Sequence, residues 1–400
     1  MLSNQILMSR IRTSIVLACY CLLLFLGFDF IYSTFAFGVS GEVRDTPFRT
    51  QDARYSHDLT PNFEGFDTWG LARYKFYTNS LGFRDASTRT VSLKPSTYRT
   101  LLIGDSFTEG VGVPFEQSFA GLLVSAGQRQ HNRIEFLDAG VVSYSPVIYY
   151  KKIKTLLAAG LAFDEVVVFL DLSDITDEAT SYFCFDDDPK YDAYKVNCPA
   201  PGAPRQLSIP LAPPPTFRGR LKAHFVVTAR SLAMFNSWTD SLRGLHKQFA
   251  VYRSLRADWT IPTMEVGHKY DPLGIEGGIA RARNNMQALA DLLAAHHIPL
   301  TVALYPWPPQ LELNDRNSRQ RAIWREFCAK NCKSFIDLFP VFFAFKDAHQ
   351  DWYERLFVEG DVHYSAEGNR LVYQNVADRL LNNPTGQPAA DAESRAKESR

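Results

Sequence analysis

The stretch Leu101-Leu102-Ile103-Gly104-Asp105-Ser106-Phe107-Thr108-Glu109-Gly110 contains an apolar run, a glycine and a polar cluster. The run begins upstream at Arg99 and predicts a buried β-strand. Gly104 permits a sharp turn after that strand, and residues 116–129 predict a helix beyond it. This order places Ser106 at the carboxyl end of a strand, where the ligands of parallel sheets bind.

Short apolar runs and longer amphipathic stretches alternate along the rest of the chain. The other predicted strands are 134–137, 166–170, 300–304 and 334–336, and the other predicted helices are 146–159, 279–296, 319–330 and 366–381. Near-continuous apolar strands separated by helices are typical of a parallel sheet covered on both faces. We therefore predict a three-layer α/β/α fold with a mostly parallel, five-stranded, flavodoxin-like sheet.

Charge and composition exclude two classes of protein. Among 400 residues, 43 Lys and Arg balance 43 Asp and Glu, so the formal net charge is zero. Proteins that bind nucleic acid usually carry a basic excess, so no nucleic-acid partner is expected. Apolar residues make up 46% of the chain, which excludes a largely disordered protein. The aromatic content of 13% fits a core with a membrane segment or a sugar-binding surface.

The N-terminus predicts a membrane anchor. Residues 1–12 are polar and carry Arg10 and Arg12, and residues 13–37 are mostly apolar, with Asp29 as their one charged residue. Their length is close to the roughly 20 residues needed to span a membrane. The positive-inside rule places residues 1–12 in the cytoplasm and the bulk of the chain outside. We expect an uncleaved single-pass anchor in the inner membrane with a periplasmic domain; cleavage after Ala36 as a signal peptide is the alternative.

Cysteine usage agrees with export. Two cysteines lie in the apolar run, and the other four form two close pairs, Cys184 with Cys198 and Cys328 with Cys332. An even number outside the membrane predicts disulfides in an oxidising compartment, with four reduced thiols as the alternative. The chain shows no zinc-binding spacing of Cys and His, and we expect neither a metal nor a cofactor.

A long insertion at about 176–275 interrupts the domain predicted over 38–383. It holds Asp186-Asp187-Asp188 and seven prolines between Pro199 and Pro215, too many for regular structure. It is predicted to be a loop that borders the site, since long loops in compact domains are often lids. The acidic cluster fits a solvated turn better than a calcium loop, because the full ligand spacing is missing. Residues 384–400 predict a disordered tail.

Ser106, His363 and Asp361 are the candidate catalytic residues. A serine hydroxyl is a weak nucleophile and needs a base, and His363 lies in a loop just before the last predicted helix. Asp361, two residues upstream, has the spacing to fix the tautomer of that imidazole. The alternative for each segment is structural, with the Asp or Ser capping a helix.

Three segments resemble the blocks of the SGNH, or GDSL, hydrolase superfamily. Residues 101–110 resemble its first block, residues 137–141 its second, and Asp361-Val362-His363 with the glycine that follows its last. The resemblance covers about 75–382 and implies that the backbone N–H of Gly140 belongs to an oxyanion hole. The segment 78–84 is similar to one in membrane-associated members.

The third block departs from the family pattern. The family carries an oxyanion-binding Asn where this chain has Ser173, within Asp171-Leu172-Ser173-Asp174. Ser173 is therefore a candidate substitute donor, although the hole could instead rely on two backbone amides. Asp171 or Asp174 could also orient His363 in place of Asp361. The structural alternative is that this acidic loop only caps a helix.

The short Asp-x-His spacing is similar to that of bacterial polysaccharide O-acetyltransferase domains. The resemblance implies an exported serine esterase or deacetylase that forms an acyl-serine on acyl esters, with acetyl as the favoured acyl group. Its substrate is then an acylated small molecule or an envelope polysaccharide. The alternatives are an O-acetyltransferase supplied by a membrane acyl-donor partner, and a catalytically inactive binding or assembly module.

Overall fold

The computed structural model describes most of the chain outside the predicted insertion. The described residues are 2–36, 48–129 except 53, 70 and 71, 134–183, 185, 255–261, 270–382, and 224, 225, 227, 228, 231, 232 and 235. The chain divides into two compact units, 1–46 with 210–248, and 47–209 with 249–400. Outside the described residues lie the predicted Cys184–Cys198 pair, the Asp186–Asp188 cluster, the prolines of 199–215 and the tail at 384–400.

The first unit contains one long helix, α1 (Leu2–Ala36). Its segment Arg10–Thr34 is long and apolar enough to cross a membrane. Cys19 and Cys21 lie on its exposed surface and are unpaired. The helix is longer than the predicted 13–37 span because the polar residues before the apolar run are helical too.

Asp29 is the one acidic residue of the apolar segment, and it is buried. Its carboxylate accepts hydrogen bonds from the hydroxyl of Ser33 (2.7 Å) and from the backbone N–H groups of Val227 (3.0 Å) and Thr228 (2.7 Å). These donors offset the desolvation of a carboxylate in apolar surroundings. Part of the predicted insertion therefore packs against α1.

The second unit contains the sheet. Its strands are β1 (Arg49–Asp52), β2 (Ser56–Leu59), β3 (Glu64–Trp69), β4 (Ala72–Thr78), β5 (Arg84–Asp85), β6 (Tyr98–Ile103), β7 (Ile134–Asp138), β8 (Glu165–Leu170), β9 (Leu300–Leu304) and β10 (Ser334–Asp337). Strands β1 and β2 form a separate antiparallel pair. The other eight form one sheet in the order β10-β9-β8-β6-β7-β5-β4-β3.

The five predicted strands are confirmed and form the parallel part of the sheet, β10-β9-β8-β6-β7. In chain order this is the 2-1-3-4-5 arrangement of flavodoxin-like folds. The predicted number of strands was too small, because β5, β4 and β3 extend the sheet antiparallel beyond β7. Strand β4 does alternate exposed Arg73 and Lys75 with buried Tyr74 and Phe76, a period-2 signal of a strand with one buried face.

Helices follow most strands of the parallel part. They are α2 (Ser106–Glu109), α3 (Phe119–Arg129), α4 (Pro146–Ala158), α5 (Ser173–Thr180), α6 (Gly274–Ala295), α7 (Pro308–Glu312), α8 (Arg319–Asn331), α9 (Phe339–Ala348), α10 (Trp352–Leu356) and α11 (Ala366–Asn382). The five long predicted helices correspond to α3, α4, α6, α8 and α11. Helices α9 and α10 were not predicted, because their aromatic residues give no clear apolar stripe.

The long helices pack in two groups. Helix α3 packs against β7 and α11, whereas α4 and α5 pack against α6. Right-handed crossovers that leave β6 in opposite directions lie on opposite faces of the sheet. The two groups therefore cover both faces of a core that includes the fully buried β6 and β8 residues Leu101, Leu102, Val167 and Val168.

Two further segments bear on the sequence predictions. Cys328 and Cys332 form the predicted disulfide at the end of α8. The turn Leu255–Thr260 belongs to the packed core, since Trp259 is buried and its indole N–H donates to the carbonyl of Leu172 (3.1 Å). The predicted insertion at 176–275 thus returns to the domain before its expected end.

We predict that Gly278→Ala destabilises the second unit by about 2 kcal/mol through overpacking. A Cβ on Gly278 of α6 would lie 2.6 Å from the carbonyl oxygen of Ile175 and 2.9 Å from Cβ of Ala179. The control Glu276→Ala, also in α6, removes an exposed ion pair with Arg319 of α8 and should cost less than about 1 kcal/mol. Thermal unfolding measures both, and equal losses would contradict the close packing of α5 on α6.

Candidate active site

The candidate site lies where the strand order of the sheet reverses. Strand β7 lies on one side of β6 and β8 on the other, so the loops after β6 and β8 separate at their carboxyl ends. Such a switch point is the usual binding crevice of an open α/β sheet. The loop after β6 carries Ser106, and the loop after β8 carries Asp171 and Ser173.

Ser106 is the first residue of the short helix α2. The carboxylate of Asp105 caps the helix by accepting a hydrogen bond from the backbone N–H of Phe107 (2.9 Å). Position 104 has no room for a side chain, because a Cβ would lie 2.1 Å from Oγ1 of Thr108 and 2.9 Å from the carbonyl oxygen of Phe169. Gly104 therefore lets the chain turn closely enough to present the Ser106 hydroxyl at the crevice.

The structure brings Ser106, His363 and Asp361 together. Oγ of Ser106 lies 2.7 Å from Nε2 of His363, and Nδ1 of His363 lies 2.6 Å from Oδ1 of Asp361. A carboxylate only accepts, so Nδ1 carries the proton and Nε2 accepts from the serine hydroxyl. This is the geometry of a Ser-His-Asp triad.

The loop before α11 holds the imidazole in place. The N–H of Val358 donates to the carbonyl of His363 (2.8 Å), and the hydroxyl of Tyr353 donates to the carbonyl of Asp361 (2.9 Å). The rings of Phe107 and Trp69 flank the imidazole at centroid distances of 4.8 and 4.9 Å. His363 is only 8% exposed, so its orientation is set by packing as well as by hydrogen bonds.

Asp361 is ionised in this arrangement. Burial alone would raise the pKa of its carboxyl group, but the hydrogen bond and charge of His363 lower that pKa well below its usual range. The indole N–H of Trp69 adds a further hydrogen bond to Oδ2 at 2.8 Å. An ionised carboxylate at this place stabilises an imidazolium formed during acyl transfer.

Gly140, the predicted oxyanion donor, lies against the nucleophile helix. The position of its missing Cβ is 2.7 Å from Cβ of Thr108 and 2.9 Å from the backbone nitrogen of Glu109. Its N–H donates to Oδ1 of Asp138 at 3.1 Å, so an oxyanion would share this donor. Burial raises the pKa of Asp138 well above its usual value, and a protonated carboxyl group is a weaker competitor than a carboxylate.

The loop that carries Gly140 is held from several sides. The N–H of Val142 donates to Oε2 of Glu109 (2.7 Å), and its carbonyl accepts from Nε2 of His57 (2.7 Å). The hydroxyl of Tyr182 donates to the carbonyl of Ser143 (2.7 Å). Sequence reasoning missed His57 and Glu109, although Glu109 lies within the nucleophile stretch. The signal that could have found Glu109 is a charged residue at a position of α2 that is buried.

His57 is neutral in this arrangement. Its Nε2 donates to the Val142 carbonyl, so Nδ1 is the acceptor, and Oγ of Ser56 lies 2.7 Å from it. Burial lowers the pKa of His57 to about 4, although the bond to Val142 and the charge of Asp58 oppose the shift. A histidine that is buried as the neutral form must be charged when acid unfolds the protein.

Ser173 does not have the role predicted for it, because its hydroxyl group is hydrogen-bonded within its own loop. Its hydroxyl donates to Oδ1 of Asp171 (2.7 Å), which also accepts the N–H of Ser173 (2.6 Å). A serine hydroxyl has a single hydrogen to donate, and Ser173 is only 3% exposed. In this arrangement the Ser173 side chain does not serve as an oxyanion donor, because the aspartate two residues before it takes that hydrogen.

Asp171 and Asp174, the alternative partners predicted for His363, have other donors. Oδ2 of Asp171 accepts from the indole N–H of Trp307 (2.7 Å), and Oδ1 of Asp174 accepts from the hydroxyl of Tyr149 (2.8 Å). Burial, and after it the charges of these two carboxylates, raises the pKa of Asp105 well above its usual value. Burial likewise raises the pKa of Asp174 well above its usual value, so this acidic cluster interacts electrostatically with the turn that carries Ser106.

Among the residues that the structure describes, no group of His, Cys, Asp and Glu is arranged to hold a metal ion. No family model and no curated protein matches the chain. Solved structures that are similar to it include one of TesA, with 12% identity, 71% of this chain and 98% of that chain covered, and a TM-score of 0.38.

Two other similar structures are those of acetylxylan esterases. The acetyl xylan esterase AlAXEase is 14% identical over 71% of this chain and 100% of its own, with a TM-score of 0.39. A catalytic mutant of Axe2 from Geobacillus stearothermophilus is 10% identical over 74% and 97%, with a TM-score of 0.40.

We predict that His57 makes the fold sensitive to acid. As the pH falls from 6.5 to about 4, His57 binds a proton in the unfolded chain but stays neutral in the folded protein. The free energy of unfolding therefore decreases by up to about 3 kcal/mol over this range. His57→Gln should flatten this part of the curve of unfolding free energy against pH, and His296→Gln, at an exposed position, should not. Parallel curves for wild type and His57→Gln would contradict the prediction.

Proposed function

We propose that the chain is a serine esterase that cleaves acyl esters through an acyl-serine intermediate. The 2.7 Å contact between Oγ of Ser106 and Nε2 of His363 carries the proposal, because it gives the nucleophile its base. The ionised Asp361 on the other ring nitrogen completes the triad. Ser106 lies at the switch point of the sheet, where the substrates of open α/β sheets bind.

The acylation step follows from these contacts. Nε2 of His363 takes the hydroxyl proton as Oγ of Ser106 bonds to the ester carbonyl carbon, and the carbonyl electron pair moves onto its oxygen. When the carbonyl re-forms, the bond to the alcohol oxygen breaks, and His363 returns the proton to that oxygen. Water then attacks the acyl-serine with the same base, which releases the acid and restores Ser106.

Backbone amides are the proposed oxyanion donors. The N–H of Ser106 lies at the start of α2, and the loop that carries the Gly140 N–H packs against the same helix at Thr108. Burial raises the pKa of Asp138, which weakens it as a competing acceptor against a fully charged oxyanion and supports transfer of the Gly140 N–H to that oxyanion in the transition state. The Ser173 hydroxyl remains with Asp171 in this proposal.

The favoured substrate is an acetyl ester on a small molecule or an envelope polysaccharide. The apolar segment of helix α1, with Arg10 and Arg12 at its N-terminal end, supports a single-pass anchor in the inner membrane with the site on the periplasmic side. The disulfide between Cys328 and Cys332 fits an oxidising compartment. A substrate outside the cytoplasm follows from this placement.

An O-acetyltransferase is the second candidate, favoured by the long apolar helix that would keep the site near a membrane acyl donor. Both activities pass through the same acyl-serine and differ only in whether water or a sugar hydroxyl attacks it. Release of free acetate without a sugar acceptor supports the esterase. A fluorophosphonate probe that labels Ser106 would exclude an inactive binding or assembly module.

We predict that Ser106→Ala and His363→Ala each lower the rate of p-nitrophenyl acetate hydrolysis by at least about 10³, because triad members act as a unit. The full chain in detergent is the assay material. The controls Ser92→Ala and His296→Ala change exposed residues and should keep the wild-type rate. Equal rates in all five proteins would defeat the catalytic assignment.

We also predict that Asp361→Asn lowers kcat by about 10³–10⁴, because an amide in place of the carboxylate favours the wrong imidazole tautomer. Asp171→Asn should keep kcat within about tenfold of wild type, since Asp171 bonds to Trp307 and Ser173 rather than to His363. Steady-state kinetics, with circular dichroism to check the fold, compares the two. The reverse order of losses would assign the orienting role to Asp171.

A further inference from the structure

Trp69 reaches the candidate site from the far edge of the sheet. It is the last residue of β3, the outermost antiparallel strand, and pairs with Ala72 at the end of the β3–β4 hairpin. Trp69 and Asp361 are 292 positions apart in the chain. The hairpin therefore brings a side chain to the triad that no segment near the catalytic residues supplies.

Trp69 makes two contacts there. Its indole N–H donates to Oδ2 of Asp361 at 2.8 Å. Its ring lies edge-on to the imidazole of His363, with centroids 4.9 Å apart and an interplanar angle of 82°. One side chain therefore touches both the carboxylate and the base.

The two carboxylate oxygens of Asp361 have different partners. Oδ1 accepts from Nδ1 of His363 and from the backbone N–H groups of Val362 and His363. Oδ2 accepts from Trp69. Three donors converge on Oδ1, and the donor on Oδ2 fixes the other end of the carboxylate, which further limits rotation about the Cβ–Cγ bond and keeps Oδ1 aimed at Nδ1.

Solvent makes this second donor important. The Asp361 side chain is 28% exposed, whereas that of His363 is 10% exposed. Water therefore reaches the carboxylate and competes for its oxygens. A half-buried indole over Oδ2 replaces mobile water by one fixed donor, and only tryptophan combines such a donor with an apolar ring of this size.

We propose that Trp69 is a positioning residue that acts through Asp361, so that the site works as a Ser-His-Asp-Trp chain of contacts. The inference deepens the proposed esterase and rests on it for its kinetic consequence. The hairpin that carries Trp69 then belongs to the catalytic framework, and its packing on the domain contributes to the alignment of the base.

The test removes the indole N–H and keeps an aromatic ring. In the full chain in detergent, Trp69→Phe should lower kcat for p-nitrophenyl acetate about tenfold and leave KM within about twofold, because a lost hydrogen bond to a charged group costs this much. The downfield proton resonance of Nδ1–H in His363, which reports its bond to Asp361 without turnover, should broaden or move upfield.

Two further variants separate positioning from packing. Trp352→Phe changes a buried tryptophan whose ring packs edge-on against Phe357, and it should leave kcat and the resonance unchanged. Replacement of Trp69 by β-(3-benzothienyl)alanine keeps the shape of the side chain without its N–H. This replacement should reproduce the loss in kcat even where Trp69→Phe folds poorly.

The outcomes distinguish this inference from the proposed function. Wild-type kcat and an unchanged resonance in the benzothienyl variant would overturn the role of Trp69 and leave the esterase intact. A wild-type protein without activity on acyl esters would overturn the esterase, and the resonance would still show whether Trp69 holds the His363–Asp361 pair. A loss in Trp352→Phe equal to that in Trp69→Phe would show general packing and count against positioning.

Discussion

The hydrogen bond between Oγ of Ser106 and Nε2 of His363 joins residues 257 positions apart in the chain. It forms only if the loop after β6 and the loop before α11 end at the same rim of the sheet. The parallel strands provide that rim, and Gly104 provides the close turn that presents the serine. Packing of α11 against α3 keeps the histidine loop on the same side. The rest of the site depends on this convergence.

The buried carboxyl groups around Ser106 are costly for the fold. Asp105, Asp138, Asp171 and Asp174 are almost fully buried near the turn, and burial raises the pKa of three of them, Asp105, Asp138 and Asp174. Buried carboxyl groups persist where other interactions hold them, and perturbed groups cluster at functional sites. Indole, phenol and backbone donors bond to Asp105, Asp171 and Asp174, which orders both loops at the switch point of the sheet, whereas Oδ2 of Asp138 is buried without a partner among the described residues.

Two polar side chains fix the segment after β7, which carries the Gly140 amide. Ser173 takes no part in this, since its hydroxyl donates to Asp171. Instead Glu109 and His57 hold the backbone of Val142 from two sides, which fixes the loop that contains the Gly140 amide. A backbone donor in a rigid loop needs no reorganisation when charge develops.

The sequence by itself determined the five parallel strands, the helices that cover them, the Cys328–Cys332 disulfide and the apolar N-terminal helix. Each is a local pattern of apolar period or close spacing, and local patterns are visible in a sequence. It also singled out Ser106, Asp361 and His363, because the chain order of the blocks and the position after a strand are linear properties.

Only the tertiary structure decided the partners of these residues. Strands β3–β5 pair at the sheet edge, and through them Trp69 reaches Asp361; His57 and Glu109 meet at Val142; Asp171 takes the hydrogen of Ser173. Such contacts depend on which loops the sheet order brings together, and a side chain's neighbours across hundreds of residues leave no period or spacing in the chain.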